Sequence, residues 1–432
     1  MTKHILLLVF CSLFVCTGCN KETVEKEKEK DEMCVLYYMI ANNNLEDDMA
    51  MNIVMLYEGL AKTPQPATVV LYWKGESSSS TTLPSPSIIT YTSDGKGNIN
   101  GHNAQKVVEQ LLTKQSHECI DLVVAEAVIA KQYPTRHIST SKTVMSEVVT
   151  DMVSLAPEAK KYCFMLGSHG TGWLKYITGT PAVRSFGQDT DADTNEHSTI
   201  STADIADILR MQQIPFDFVA FDACMMACAE VAYDFCDVCN YLIGSVQEIP
   251  DLGFPYDEML PYLLVPSQLN YVEACKKFVA FYTAKKDEGY WGAISLIDCT
   301  RMQNLASAVR TQLLQNKSRI PFDTSDLAFN YANSFTYASA DCKHIIETLT
   351  GGSASTEFCE ALQKTVIYSD FAETESYRYK LDRNNYCGIG MYVPGKYDIK
   401  YNGKTYSAEY WNDYYTTLAW YKAAGWSEVD WE

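Results

Sequence analysis

The stretch FDFVAFDACMMACAEVAYDF, residues 216–235, decides how this chain is read. Phe218 to Phe221 form an unbroken apolar run, as expected of a strand covered on both faces. After Asp222-Ala223-Cys224 the spacing changes, and Met225, Met226, Ala229, Val231, Ala232 and Phe235 recur as on a buried helix face. Cys224 is therefore expected where a strand hands over to a helix. The unpaired N–H groups and positive dipole end of a helix N-terminus favour thiolate over thiol, so the position suits a nucleophile.

A second stretch, YCFMLGSHGTGW at 162–173, has the same layout. Tyr162 to Leu166 read as a short apolar strand that runs into Gly167-Ser168-His169-Gly170, a tight loop holding a histidine. In a parallel sheet, ligands and chemistry gather outside the carboxyl ends of the strands, and neighbouring strands lie about 5 Å apart. If these two strands are neighbours, His169 faces Cys224.

Working outward, 33–40 is an apolar strand without polar alternation, followed by an Asn-rich turn and a helix over 45–60. Strands are expected at 68–73 and 88–91, separated by a Ser/Thr/Pro-rich loop, then a helix at 104–112 and one at 144–155. Residues 120–129 fit a strand, with helix as the alternative. Beyond Cys224, strands are expected at 241–246 and 291–297 around a helix at 272–282. Helical spacing then dominates at 302–314, 345–349, 358–368 and 411–421, interrupted by a strand at 387–393. Alternating strands and helices predict an α/β domain over 34–290 with a mostly parallel sheet. Residues 291–432 read as a mainly helical module packed on it.

The stretch 177–202 is rich in Gly, Thr, Ser, Pro and Asp and reads as surface loop, with His197 solvated. Asp189, Asp191 and Asp193 alternate as in a calcium loop, but the turn glycine and closing glutamate are missing, so calcium is unsupported and no metal or cofactor is required. Fifteen cysteines are present. Cys163, Cys275 and Cys342 fall at apolar positions and read as buried small hydrophobes. Cys236-x-x-Cys239 has half of a zinc or redox spacing, with no second half to complete it.

The 432 residues carry 35 Lys and Arg against 54 Asp and Glu, a net charge of −19 that argues against nucleic-acid binding, and 47% apolar residues provide ample core. At the N-terminus, Lys3 and His4 precede an apolar run too short to span a bilayer comfortably, then Cys16-Thr17-Gly18-Cys19. This resembles a bacterial lipoprotein signal covering 1–18, with Cys19 as the lipidated residue. An ordinary secretory signal is the alternative. The charged segment 19–33 cannot bury enough surface to fold and reads as a tether. It is similar to the signal that sends some lipoproteins to the cell surface, so a cell-envelope location with a membrane anchor is expected.

LGSHGTGW and FDACMMACAEVAYDF together resemble the two signature motifs of clostripain-like cysteine peptidases, relatives of caspases, gingipains and legumain. The likeness extends to YYMIANNNLE (37–46), FGQDTDAD (186–193), GSVQEIPDLGFPY (244–256), GIGMYVP (388–394) and the tryptophan-rich end, most of 34–426. Ser168 and Gln247 depart from the family's usual residues. The resemblance implies a caspase-like three-layer α/β/α sandwich and a thiol peptidase acting on protein or peptide substrates. Cys224 would attack and His169 would protonate the leaving amine, with the backbone N–H groups of Gly170 and Cys224 as oxyanion donors. It also implies that Asp222 selects Arg or Lys before the scissile bond, with Asp251 a second candidate for that pocket; the competing reading of Asp222 is a helix N-cap. Of the basic residues between His169 and Cys224, only Arg184 sits in an irregular polar loop, and the resemblance implies a self-made cut between Arg184 and Ser185. Two other functions fit the same motifs, an inactive peptide-binding lipoprotein and a peptidase cutting after Asn or Asp.

Overall fold

Side chains of the strand Asp31–Ile40 (β1) go alternately to two cores, Cys34, Leu36, Tyr38 and Ile40 to one and Met33, Val35, Tyr37 and Met39 to the other. A strand with apolar residues at every position must be covered on both faces. The computed structural model describes residues 31–76, 82–174, 186–190, 197–321, 335–336, 339–373, 381–395, 399–401 and 404–431, and in it both faces of β1 are covered by helices.

The sheet continues with Pro66–Lys74 (β2), Ser87–Asp94 (β3), Val128–Gln132 (β4), Ala159–Gly167 (β5), Phe216–Asp222 (β6), Cys239–Gly244 (β7), Gly292–Asp298 (β8) and Val366–Ala372 (β9). In space the order is β9-β8-β7-β6-β5-β1-β2-β3, with β4 and a two-residue hairpin at 98–103 both pairing onto β3 or its extension. The five strands β7, β6, β5, β1 and β2 run parallel, and antiparallel strands close both sides. The helices Glu46–Lys62, Ala104–Leu111, Ser116–Ala125, Tyr256–Leu263 and Gln268–Ala284 cover one face. Lys142–Leu155, Thr202–Met211, Met302–Gln315 and the C-terminal helices cover the other. This is the three-layer α/β/α sandwich, and helices dominate its C-terminal region.

Several expectations are corrected. Residues 116–125 are helical and β4 begins only at Val128; Glu118 accepts the Gln115 N–H at 3.1 Å, which starts that helix despite its β-branched residues. The helix expected over 358–368 ends at Thr365, and β9 follows directly. Phe186–Thr190 and His197–Ile200 pair as antiparallel strands, the first buried and the second half-buried up to Ile200, where surface loop was expected. The helix after Cys224 starts at Ala229 and is six residues long, because the amides of Met225 and Ala227 bond the carbonyls of Gln247 and Ser245 at 2.8 and 2.9 Å. The chain around residue 290 does not separate two cores, since β8 and β9 extend the sheet of β7.

The C-terminal segment meets the helix Ala229–Asp234 at a buried carboxyl. Glu230 accepts the Tyr392 N–H at 2.8 Å, and Tyr415 and Cys228 lie against it. Burial pushes it from an ordinary 4.5 to about 7. A folded-state value above the unfolded one means the native protein holds the proton more tightly, so this stability is full below about pH 4.5 and is lost as pH rises through about 7. Glu230→Gln is therefore expected to change the melting temperature little at pH 5 and to raise it at pH 8, by on the order of 2 kcal/mol of stability. Equal shifts at both pH values in a thermal melt would show the carboxyl to be ionised throughout.

Candidate active site

Parallel pairing of β5 with β6 sets Gly167 opposite Asp222. His169 and Cys224 each lie two residues beyond those partners, so the register alone delivers both to one end of the sheet. Ser168 N–H reaches Asp222 O at 3.4 Å, and the two loops touch beyond it. A Cβ on Gly170 would lie 2.7 Å from the Cys224 carbonyl oxygen and 3.0 Å from Ala223 Cβ, an approach that only glycine permits. After Cys224 the chain turns sharply through Met225, at φ 63°.

The chain runs from β1 outward to β2, β3 and β4 and returns to β5 on the other side of β1, which makes the β1/β5 boundary the switch point of the sheet. A cleft of about 800 Å³ opens there, lined by His169, Gly170, Asp222, Cys224 and Asp251 among others. The Asn-rich turn after β1 builds one side of it. Asn43 Nδ2 donates to Ile40 O and Gln188 O, both at 2.9 Å. Asn44 Oδ1 accepts from His169 Nε2 at 2.9 Å. Asn42 Nδ2 donates to Asp189 Oδ1 at 2.7 Å, so that carboxylate braces the hairpin. Ser168, the departure from the family pattern, joins the same network by donating to Ile40 O at 2.7 Å and accepting from Gln188 N–H. His197, expected in solvent, is half-buried, pairs its Nδ1 with Gln188 Nε2 at 2.9 Å and lines the cleft.

Asp222 is buried at the cleft floor. Its Oδ2 accepts from Phe254 N–H at 3.1 Å and from Tyr256 O–H at 2.8 Å. Burial raises its pKa to about 6, with those two donors pulling it back. With the helix starting at Ala229, capped at Cys228, Asp222 is not its N-cap. Asp251 is exposed at the rim and takes the N–H of its own neighbour Leu252. Cys224 Sγ accepts the Ile249 N–H at 3.3 Å. Burial, with Glu248 adding to it, pushes the thiol up to about 12. The expected helix-end stabilisation of a thiolate is thus overturned, because no helix begins at Cys224. Arg184, Ser185, Asp191, Asp193 and Cys19 lie outside the described residues. Among the described residues, no three His, Cys, Asp or Glu side chains gather as metal ligands. No described helix is long and apolar enough to cross a membrane.

The sequence model of the clostripain family matches residues 37–431. The chain belongs to the clostripain family. It is a cysteine peptidase, a hydrolase. The fold is similar to that of a secreted C11 cysteine protease from Bacteroides thetaiotaomicron held with an irreversible peptide inhibitor. The two are 21% identical at a TM-score of 0.66, covering 92% of this chain and 100% of that one. An inactive zymogen C11 protease from Parabacteroides distasonis aligns at 22% identity and a TM-score of 0.64, over 92% and 99% of the two chains. No curated protein matches the chain.

Asn44 escapes a sequence reading because an Asn-rich stretch after a strand signals only a turn. Its contact requires β1 and β5 to be neighbours. Asn44→Ala removes an acceptor that holds the imidazole, and is expected to lower kcat about tenfold with KM little changed. A kcat equal to that of the unaltered enzyme in steady-state assays would show that the ring is positioned by other groups.

Proposed function

We propose that this member of the clostripain family is an endopeptidase that cuts after Arg or Lys through Cys224 and His169. The observation that carries the reading is Asp222, a buried carboxylate two residues before the thiol, on the floor of the cleft, with no cationic side chain paired to it among the described residues. A buried carboxylate calls for a cation, and here the cation comes with the substrate.

The chemistry follows from a thiol that rests protonated. With the scissile carbonyl in place, His169 accepts the Sγ proton as the S–C bond forms, and the carbonyl electron pair moves to oxygen. The backbone N–H groups of Gly170 and Cys224 are the donors we assign to that oxyanion. Collapse of the tetrahedral adduct breaks the C–N bond, and the imidazolium gives its proton to the leaving amine. Water then hydrolyses the thioester, with His169 again as base. Asn44 Oδ1 accepts from the ring's Nε2, and we assign the proton transfers to Nδ1.

Cys224→Ala and His169→Ala are each expected to abolish turnover of an arginyl substrate. Asp222→Ala is expected to keep a thiol reactive toward a small alkylator while losing about a hundredfold or more of cleavage after Arg. In wild type, kcat/KM for that substrate rises as Asp222 ionises, through about pH 6. A fluorogenic panel with Arg, Lys, Asn and Asp before the reporter decides the matter. Unchanged arginine preference in Asp222→Ala would rule out the carboxylate as the selector.

We further propose a self-made cut between Arg184 and Ser185 and a lipid anchor on Cys19, which would hold the enzyme in the cell envelope. The P. distasonis protein is an inactive zymogen, and Arg184 lies between the two motif loops, where a nick would leave both chains in one sheet. The anchor rests on the signal-like 1–18 and the tether behind it. One intact-mass measurement on protein extracted from membranes reads both. It is expected to show two chains, the first starting at a lipidated Cys19, and a single chain for Cys224→Ala. A nicked Cys224→Ala would assign the cut to a foreign protease, and an unmodified Cys19 would exclude the anchor.

A further inference from the structure

Leu45, Met49 and Asn52 lie four and three residues apart, one just before and two within the helix Glu46–Lys62, and together they form the wall of the cleft beside Asp222. Asn52 is the polar member. Its side chain is buried, at 3% exposure, and its Oδ1 has no hydrogen-bond partner. Native proteins pair nearly all their buried amide oxygens, so an unpaired one lining a cleft points to a donor that arrives from outside the chain.

The amide and the carboxylate close over the same point of backbone. A Cβ on Gly253, which sits at φ +65°, would lie 2.6 Å from Asn52 Nδ2 and 2.8 and 3.1 Å from Asp222 Oδ2 and Oδ1. Two of the carboxylate's contacts are spent inside the protein, since Oδ2 already takes the Phe254 N–H and the Tyr256 O–H. Oδ1 is left for a ligand. A guanidinium presents parallel N–H groups in a fixed fork and gains from two acceptors set side by side, whereas an ammonium is a point charge whose three rotatable donors do not demand that arrangement. Asp222 by itself therefore serves a lysine about as well as an arginine.

We propose that Asn52 supplies the second acceptor and tilts the pocket toward arginine. The terminal torsion of asparagine is soft and roughly two-fold, so the amide turns its oxygen toward one N–H of the substrate guanidinium while Asp222 Oδ1 accepts another. Asn52 then determines specificity within the basic class, and this role rests on the reading of Asp222 given above.

The test is a pair of fluorogenic peptides identical except for Arg or Lys before the reporter, cut by wild type, Asn52→Leu and Asn52→Asp, with melting temperature as the check on folding. Asn52→Leu is expected to lower the Arg-to-Lys ratio of kcat/KM about tenfold, and Asn52→Asp, which keeps an oxygen there, to retain arginine preference. If Asn52→Leu does not fold, Asn52→Ala reads the same ratio. An unchanged ratio in these variants, with wild type cutting after both residues, overturns the role of Asn52 alone. A wild type that cuts after neither removes the basic-residue reading and the role of Asn52 with it.

Discussion

Gly167 faces Asp222 across two parallel strands, and the chemistry of the molecule depends on that pairing. A histidine two residues past one partner and a cysteine two residues past the other arrive at the same height without any long-range adjustment. A slip of one residue would turn each side chain of the strand to the opposite face and place the thiol against a different part of the histidine loop. The register is protected by the burial of β6, whose side chains Val219 and Phe221 enter one core and Phe218 and Ala220 the other. Gly170 adds a local lock, since its backbone rests on the Cys224 carbonyl.

The acidic character of the cleft works in two directions. Glu248 and Asp222 both raise the pKa of the Cys224 thiol beyond what burial does, so the field that would draw a cation into the cleft also keeps the resting nucleophile protonated. A cation seated at Asp222 cancels part of that field and favours the thiolate. On the specificity proposed above, selection and activation are coupled through charge, and a substrate lacking the cation meets a less reactive thiol.

Much of this was legible in the chain. Short apolar runs ending in Gly-Ser-His and Asp-Ala-Cys marked β5 and β6, the two loops and their residues, because a strand buried on both faces leaves an unbroken apolar signature. What was not legible depended on partners distant in sequence. Residues 225–228 have helical spacing, yet the amides of Met225 and Ala227 are claimed by Gln247 and Ser245. The strand Phe186–Thr190 is held down by polar contacts of Asn42, Asn43 and Ser168, which hydrophobic patterning does not register. Residues 116–125 carry β-branched and apolar side chains that suit a strand, and only Glu118 at the capping position spoke for a helix. Asn44 and Asn52 matter only because β1 and the helix after it border the switch point.

Trp173 closes the histidine motif, and its indole packs against Tyr392, Trp411, Tyr414 and Tyr415, with ring centroids 4.8 to 6.5 Å away. The segment that follows the cysteine loop by nearly two hundred residues thus supplies the wall behind the histidine loop. This has a temporal meaning. A chain made N-terminus first can pair β5 with β6 early, but the aromatic cage around Trp173 waits for the last helices. A peptidase assembled in that order has an unfinished histidine loop until the last helices are made, and is completed only once the whole chain is present.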